Sequence, residues 1–115
     1  MPQYMLLIYE PEDLVPDPAE MPRWMAVTEE LRSSGAHVAG EALQGPDTAT
    51  TVQVRDGETL ITDGPFAETK ELLAGFYIVD APDAAGAEAW AAKLPTVARG
   101  SVEVRPVMQY PAEVQ

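Results

Sequence analysis

Ionisable side chains crowd around one kink in the sequence, Asp63-Gly64-Pro65-Phe66-Ala67-Glu68-Thr69-Lys70-Glu71. Asp63 stands at the end of a strand-like run beside a Gly-Pro step. A carboxylate there can act as a general acid or base if partial burial raises its pKa. An Asp in such a place also bonds to nearby backbone N–H groups in an Asx turn, which is the structural alternative. Gly64 precedes a proline, which calls for extended backbone at that position. Glu68, Lys70 and Glu71 bring opposite charges close together. An ammonium near two carboxylates can bind a polar ligand or keep a base ionised. On a solvated loop the same trio would form ion pairs worth little. Asp63 is the first catalytic candidate. Lys70 is the first ligand contact, ahead of Glu68 and Glu71.

Other candidates are more dispersed. Arg105 interrupts a final run rich in Val. Pointing inward, it would need a carboxylate, and Glu41 or Asp63 could supply one. Such a pair would be structural or an anion-binding site. His37 is the single histidine and reads as an ordinary strand residue. Trp24, Phe66, Phe76 and Tyr77 could line an apolar pocket, though core packing explains them equally well. One histidine and no cysteine give neither zinc nor iron a ligand set. No EF-hand loop, Gly-rich phosphate loop or nucleophile elbow is present. No metal and no cofactor are therefore expected. The lack of cysteine also rules out disulfides and thiolate catalysis.

The elements that must carry these residues follow from periodicity. Gln3 to Glu10 reads as a strand, and its apolar run Met5 to Tyr9 as a buried first strand rather than a secretion signal. Asp17 can cap a helix with Pro18 at its first position and Glu20 as the acid of a capping box. Met21, Trp24, Val27, Thr28 and Leu31 form one face of that helix, which Ser33, Ser34 and Gly35 end. His37 to Leu43 and Thr50 to Arg55 read as strands. Asp56-Gly57 marks a type I′ hairpin to a partner strand, Glu58 to Thr62. Asp63 to Leu73 reads as irregular, with room for one helical turn. Gly75 to Ala81 is the next strand. Asp83 caps a second helix whose face is Ala87, Trp90, Ala91 and Leu94, stopped by Pro95. Ser101 to Met108 closes the chain. The order is β-α-β-β-β-β-α-β. Setting the central hairpin aside leaves two β-α-β halves, the ferredoxin-like arrangement, with two helices on one face of a mainly antiparallel sheet. The uncovered face suits burial against a second copy, so a homodimer is expected.

Composition bounds the partners. The 115 residues suit one domain spanning 1–115. Nineteen acidic residues against seven basic ones give a net charge of −12. Nucleic acids and anionic membranes are bound through Lys and Arg, so neither is an expected partner. No apolar stretch is long enough to cross a bilayer, and the cytoplasm is the expected compartment.

The run Asp63 to Glu71 resembles the signature of the DGPF-domain branch of the YCII-related family, whose four naming letters are Asp63 to Phe66. Tyr4 to Tyr9, Gly40 to Leu43, Gly75 to Tyr77 and Gly100 to Val107 resemble the family's strands, so the likeness covers nearly the whole chain. The resemblance implies ferredoxin-like subunits paired in a dimeric α/β barrel. It implies no particular reaction. A related branch carries a His–Asp pair proposed as an active site, but His37 lies outside the signature here. Relatives are often encoded near extracytoplasmic-function sigma factors. Two readings follow. The chain is a binder or enzyme for a small polar molecule, with Asp63 as acid or base and Lys70 or Arg105 orienting an anionic or carbonyl-bearing ligand. Alternatively, it is a non-catalytic dimeric interaction module in sigma-factor-linked regulation.

Overall fold

The computed structural model describes residues 1–66 and 70–110. Alternation decides the first strand. Tyr4, Leu6 and Ile8 of β1 (Gln3–Pro11) are buried, while the residues between them are only half-buried. Successive side chains on a strand point to opposite faces, so these three define one apolar face. Leu31 of helix α1 (Met21–Ser33) and Ala87 and Ala91 of helix α2 (Ala84–Ala91) join the same buried cluster. Both helices therefore lie on that face of the sheet. Small side chains on α2 let it approach closely, and Leu94 is buried just beyond it.

The remaining strands are β2 (His37–Ala42), β3 (Thr50–Arg55), β4 (Glu58–Asp63), β5 (Glu71–Asp80) and β6 (Ser101–Pro106). Four of them form one sheet in the order β2-β5-β1-β6, with every neighbouring pair antiparallel. The fold is α+β, and this strand order is compatible with the ferredoxin-like arrangement. Strands β3 and β4 pair only with each other, as a separate hairpin. Asp56 and Gly57 at its tip have φ of 51° and 78°, as a type I′ turn requires.

Three local expectations are corrected. β5 starts at Glu71 rather than Gly75. A bulge at Ala74 separates the pairs Ile8–Gly75 and Tyr9–Leu73, and pairing with Tyr9 to Pro11 extends the strand past it. The interval from Asp63 to Leu73 is thus strand at both ends, and its middle, 67–69, lies outside the described residues. The capping box does not form. Asp17 caps a 3₁₀ turn, Pro18–Glu20, by accepting from the Ala19 N–H at 2.9 Å, while Glu20 makes no capping bond to α1. Its carboxylate is engaged elsewhere. Gly64 is not extended; its φ is +103°, a region that favours glycine.

Candidate functional site

Trp24 and Val27 of helix α1 are partly buried against the core. Leu31 near the C-terminal end of the helix is fully buried, and Met21 near the other end is 60 % exposed. Between helix and sheet lies a cleft of about 710 Å³. Glu20, Trp24, Thr28 and Arg32 all line it. Residues four apart lie one above the other on a helix, so this spacing forms a single ladder of acid, aromatic, hydroxyl and base. Ile8 and Glu10 of β1, Ala74 and Tyr77 of β5 and Gly40 of β2 form the sheet side.

An ion network closes the end of the cleft nearest the start of α1. Glu10 shares parity with Tyr4, Leu6 and Ile8 and so faces the helices. Its side chain is 12 % exposed and requires a partner. Arg99 provides it, donating from Nε to Glu10 Oε1 at 2.9 Å and from Nη2 to Glu10 Oε2 at 2.7 Å. The same guanidinium donates to Glu20, through Nη1 to Oε2 and through Nη2 to Oε1 at 2.7 Å. Trp24 Nε1 donates to Glu20 Oε1 at 3.0 Å, and Thr96 Oγ1 to Glu10 Oε2 at 3.1 Å. Arg99 thus uses four of its five N–H donors. Hydrogen bonds from Arg99 and then Trp24 lower the Glu20 pKa from 4.5 to about 2. Glu20, followed by Glu10, holds the guanidinium above its ordinary value. Glu20 is therefore a fixed anion at neutral pH and is unsuited to donate a proton.

Arg99 reaches this position because Gly100 follows it. A Cβ on Gly100 would lie 2.2 Å from the Tyr9 carbonyl oxygen, so only glycine lets the 3₁₀ turn Pro95–Ala98 press against β1. Farther along the cleft, the Tyr77 and Thr28 hydroxyls are 2.6 Å apart. The Tyr77 ring lies over Gly40, where a Cβ would come within 2.7 Å of its Cδ1. His37 meets Tyr77 edge to face, with centroids 6.1 Å apart. Arg32, in the last turn of α1, is exposed and makes no ion pair among the described residues.

The family model described as the YCII-related domain matches residues 2–111, nearly the whole chain. The chain belongs to the YCII-related domain family. It is also similar to an uncharacterised protein of Rhizobium meliloti (strain 1021), 45 % identical over 64 residues. That match covers 54 % of this chain and 52 % of the relative, so the chain spans about half the length of the curated relative it matches.

Within this YCII-related domain the residues singled out from sequence are not gathered in one place. Asp63 is exposed at the end of β4, opposite Thr50, and its carboxylate has no hydrogen-bond partner among the described residues. The Asx turn weighed as the structural alternative is absent there, and Ala49 and Thr51 hold the turn instead. Gly64 N–H donates to Ala49 O at 2.8 Å, and Gly64 O accepts from Thr51 Oγ1 at 2.8 Å. Lys70 is exposed beside a shallow depression of about 510 Å³ shared with Glu12, Asp47, Gly64 and Pro65. Glu71 lies on β5, and both its carboxylate oxygens accept from Ser101 Oγ at 3.1 Å. Glu68 lies outside the described residues.

Arg105 corrects an expectation. It pairs with neither Glu41 nor Asp63 but donates to Glu103 at 2.7 Å, which raises its pKa. Register explains this. Arg105 lies opposite Met5, on the sheet face away from the helices, where it is exposed and needs no buried counterion. Glu41 is exposed on β2 and borders the cleft. It lies opposite Phe76, so alternation also directs its side chain to the uncovered face. Of the aromatic candidates, Trp24 and Tyr77 line the cleft, Phe76 borders it but lies opposite Leu7 on the uncovered sheet face, and Phe66 is 78 % exposed. Sequence reasoning missed Glu10, Thr28, Arg32 and Arg99. The four-residue ladder and the parity of Glu10 on β1 were readable signals for three of them. Arg99 had none, because nothing local connects it to Glu10 and Glu20. No group of three or more His, Asp or Glu side chains among the described residues is arranged to hold a metal ion.

Proposed function

We propose that this YCII-related domain binds a small molecule with an apolar body and a polar group in the cleft under α1. The observation carrying this reading is the ladder Glu20, Trp24, Thr28, Arg32 facing an apolar sheet across about 710 Å³, within the usual size of ligand pockets, roughly 300–1,000 Å³. The Arg99 network supports it, because a saturated ion cluster braces one end of the cleft and leaves the rest open. The Trp24 indole N–H provides the test. In nitrogen-15 NMR spectra, a library of small aromatic fragments should shift the Trp24 side-chain resonance, assigned with Trp90→Phe, and Trp24→Ala should abolish the binding. Fragments that bind elsewhere while leaving Trp24 unmoved would refute the reading.

The Asp63–Phe66 loop is the second candidate, and it would place the chain in the DGPF branch. The depression beside Lys70, bordered by Gly64 and Pro65, supports it. In that reading Asp63 and Lys70 meet a polar ligand, with Glu71 on the adjoining strand and Glu68 a further candidate from the sequence. A homodimer belongs to the same proposal. Met5, Leu7, Phe76 and Ile78 share the sheet face that the helices leave uncovered, and a second copy packed there would complete a dimeric α/β barrel.

A further inference from the structure

Building on the cleft as a binding site, we propose that its ligand carries a carboxylate and that Arg32 receives it. The charged side chains along the cleft differ in what they have left to offer. Glu10 and Glu20 are both taken up by Arg99, which has committed four of its own donors to them. Asp17 caps the turn below α1 through the Ala19 N–H. The register of Glu41 sets its side chain on the far face of the sheet. Of the two arginines of the lining, Arg99 is committed and Arg32 has no hydrogen-bond or ion-pair partner among the described residues.

Its neighbours are donors as well. Thr28 lies one turn back on α1 and shares a hydrogen bond with Tyr77. His37 opens β2 on the other side of the short α1–β2 turn, in edge contact with the same Tyr77 ring. One end of the cleft thus holds a saturated acid–base cluster, and the other holds a free guanidinium beside hydroxyl and imidazole groups. A planar guanidinium fork matches a carboxylate with two parallel hydrogen bonds. With the carboxylate on Arg32, the ligand's apolar body would run back along α1 over Ala74 and Ile8 toward Trp24.

A charge series separates this inference from the reading it rests on. The probes are 2-naphthoate, 2-naphthamide and 2-naphthylmethylamine, titrated into the full chain while following the Trp24 indole resonance. The naphthoate should bind most tightly. Arg32→Gln should weaken it about tenfold or more while leaving the amide unchanged, as expected for the loss of a hydrogen-bonded charge. Arg32→Lys should recover part of the loss, because it restores the charge but not the fork. Arg32 is exposed, so both variants should fold, which the NMR spectrum itself reports. Naphthoate binding unaffected by Arg32→Gln, or no preference for naphthoate over the other two probes, would overturn the carboxylate assignment and leave the cleft reading intact. If none of the three moves Trp24, the cleft reading fails and the assignment fails with it.

Discussion

At the scale of single residues, Arg99 has the most demanding position. It is the cation between two half-buried carboxylates that come from β1 and from the turn before α1. Arg99→Leu would leave Glu10 and Glu20 close together with no counterion. The expected cost is about 3 kcal/mol, the low end for breaking a buried pair because the cluster keeps some solvent contact. The same cluster sets a pH dependence. Glu20 has a folded pKa of about 2 against an ordinary 4.5. The unfolded chain therefore takes up this proton first as pH falls. The stability that Glu20 contributes is complete above pH 4.5 and is lost progressively between 4.5 and 2. Urea unfolding from pH 7 down to 3 should show a falling midpoint in the native protein. Arg99→Leu should start lower at pH 7 and fall less steeply over the acid range. An equal acid slope in both proteins would show that Glu20 is not held as described.

At the scale of elements, backbone conformation matters more than side-chain charge. The turn carrying Arg99 sits against β1 because Gly100 has no Cβ. Gly100→Ala should cost about 2–3 kcal/mol, in the upper range for overpacking, since the obstructing atom is backbone and cannot rotate away. It should also disturb the Trp24 indole resonance, because Arg99 and Glu20 would shift with the turn. The Asp63–Phe66 loop separates structure from function in a similar way. Gly64, with φ of +103°, should lose about 1–2 kcal/mol as Gly64→Ala and show a lower melting temperature. Asp63→Asn should leave the melting temperature unchanged, because the carboxylate has no partner to lose among the described residues. If Asp63→Asn abolished binding of a ligand while keeping that melting temperature, the loop would be the site. If it were silent in every binding assay, the loop would be structural.

At the scale of the whole molecule, one chain leaves apolar surface unpaired. Its radius of gyration is 16.4 Å, against about 13 Å for a compact domain of this length. The extents of 47 × 45 × 18 Å describe a plate. The β3–β4 hairpin joins neither edge of the main sheet, and Val52, Val54 and Ile61 on one of its faces are 61 %, 59 % and 68 % exposed. Light scattering after size exclusion should give twice the chain mass at micromolar concentration. Ile78→Glu, which puts a charge on the uncovered sheet face, should shift the population to monomer. A native protein that elutes as a monomer would refute the homodimer. Chelator treatment should leave the melting temperature unchanged. A large loss would reveal a structural metal.

The sequence alone determined most of what depends on neighbours along the chain. Strand β3, the type I′ turn at Asp56-Gly57 and the cap at Asp83 follow from local chemistry, and the structure has all three. The α+β class followed from the order of elements, because alternating and helical periods leave few ways to bury both kinds of face. The site was less legible. Glu20 carries the pattern of a capping acid, yet in the fold its carboxylate finds Arg99, a residue 79 positions away. Which way Arg105 points could not be read from its Val-rich run, and the register puts it opposite Met5 on the uncovered face. The cleft lies between α1 and the sheet and is lined by residues of several separate elements, a consequence of packing that no periodicity records. Local backbone preferences act over a few residues and can be read from them. Which charges meet, and where a gap remains, depends on contacts between distant segments, and only the tertiary structure decides those.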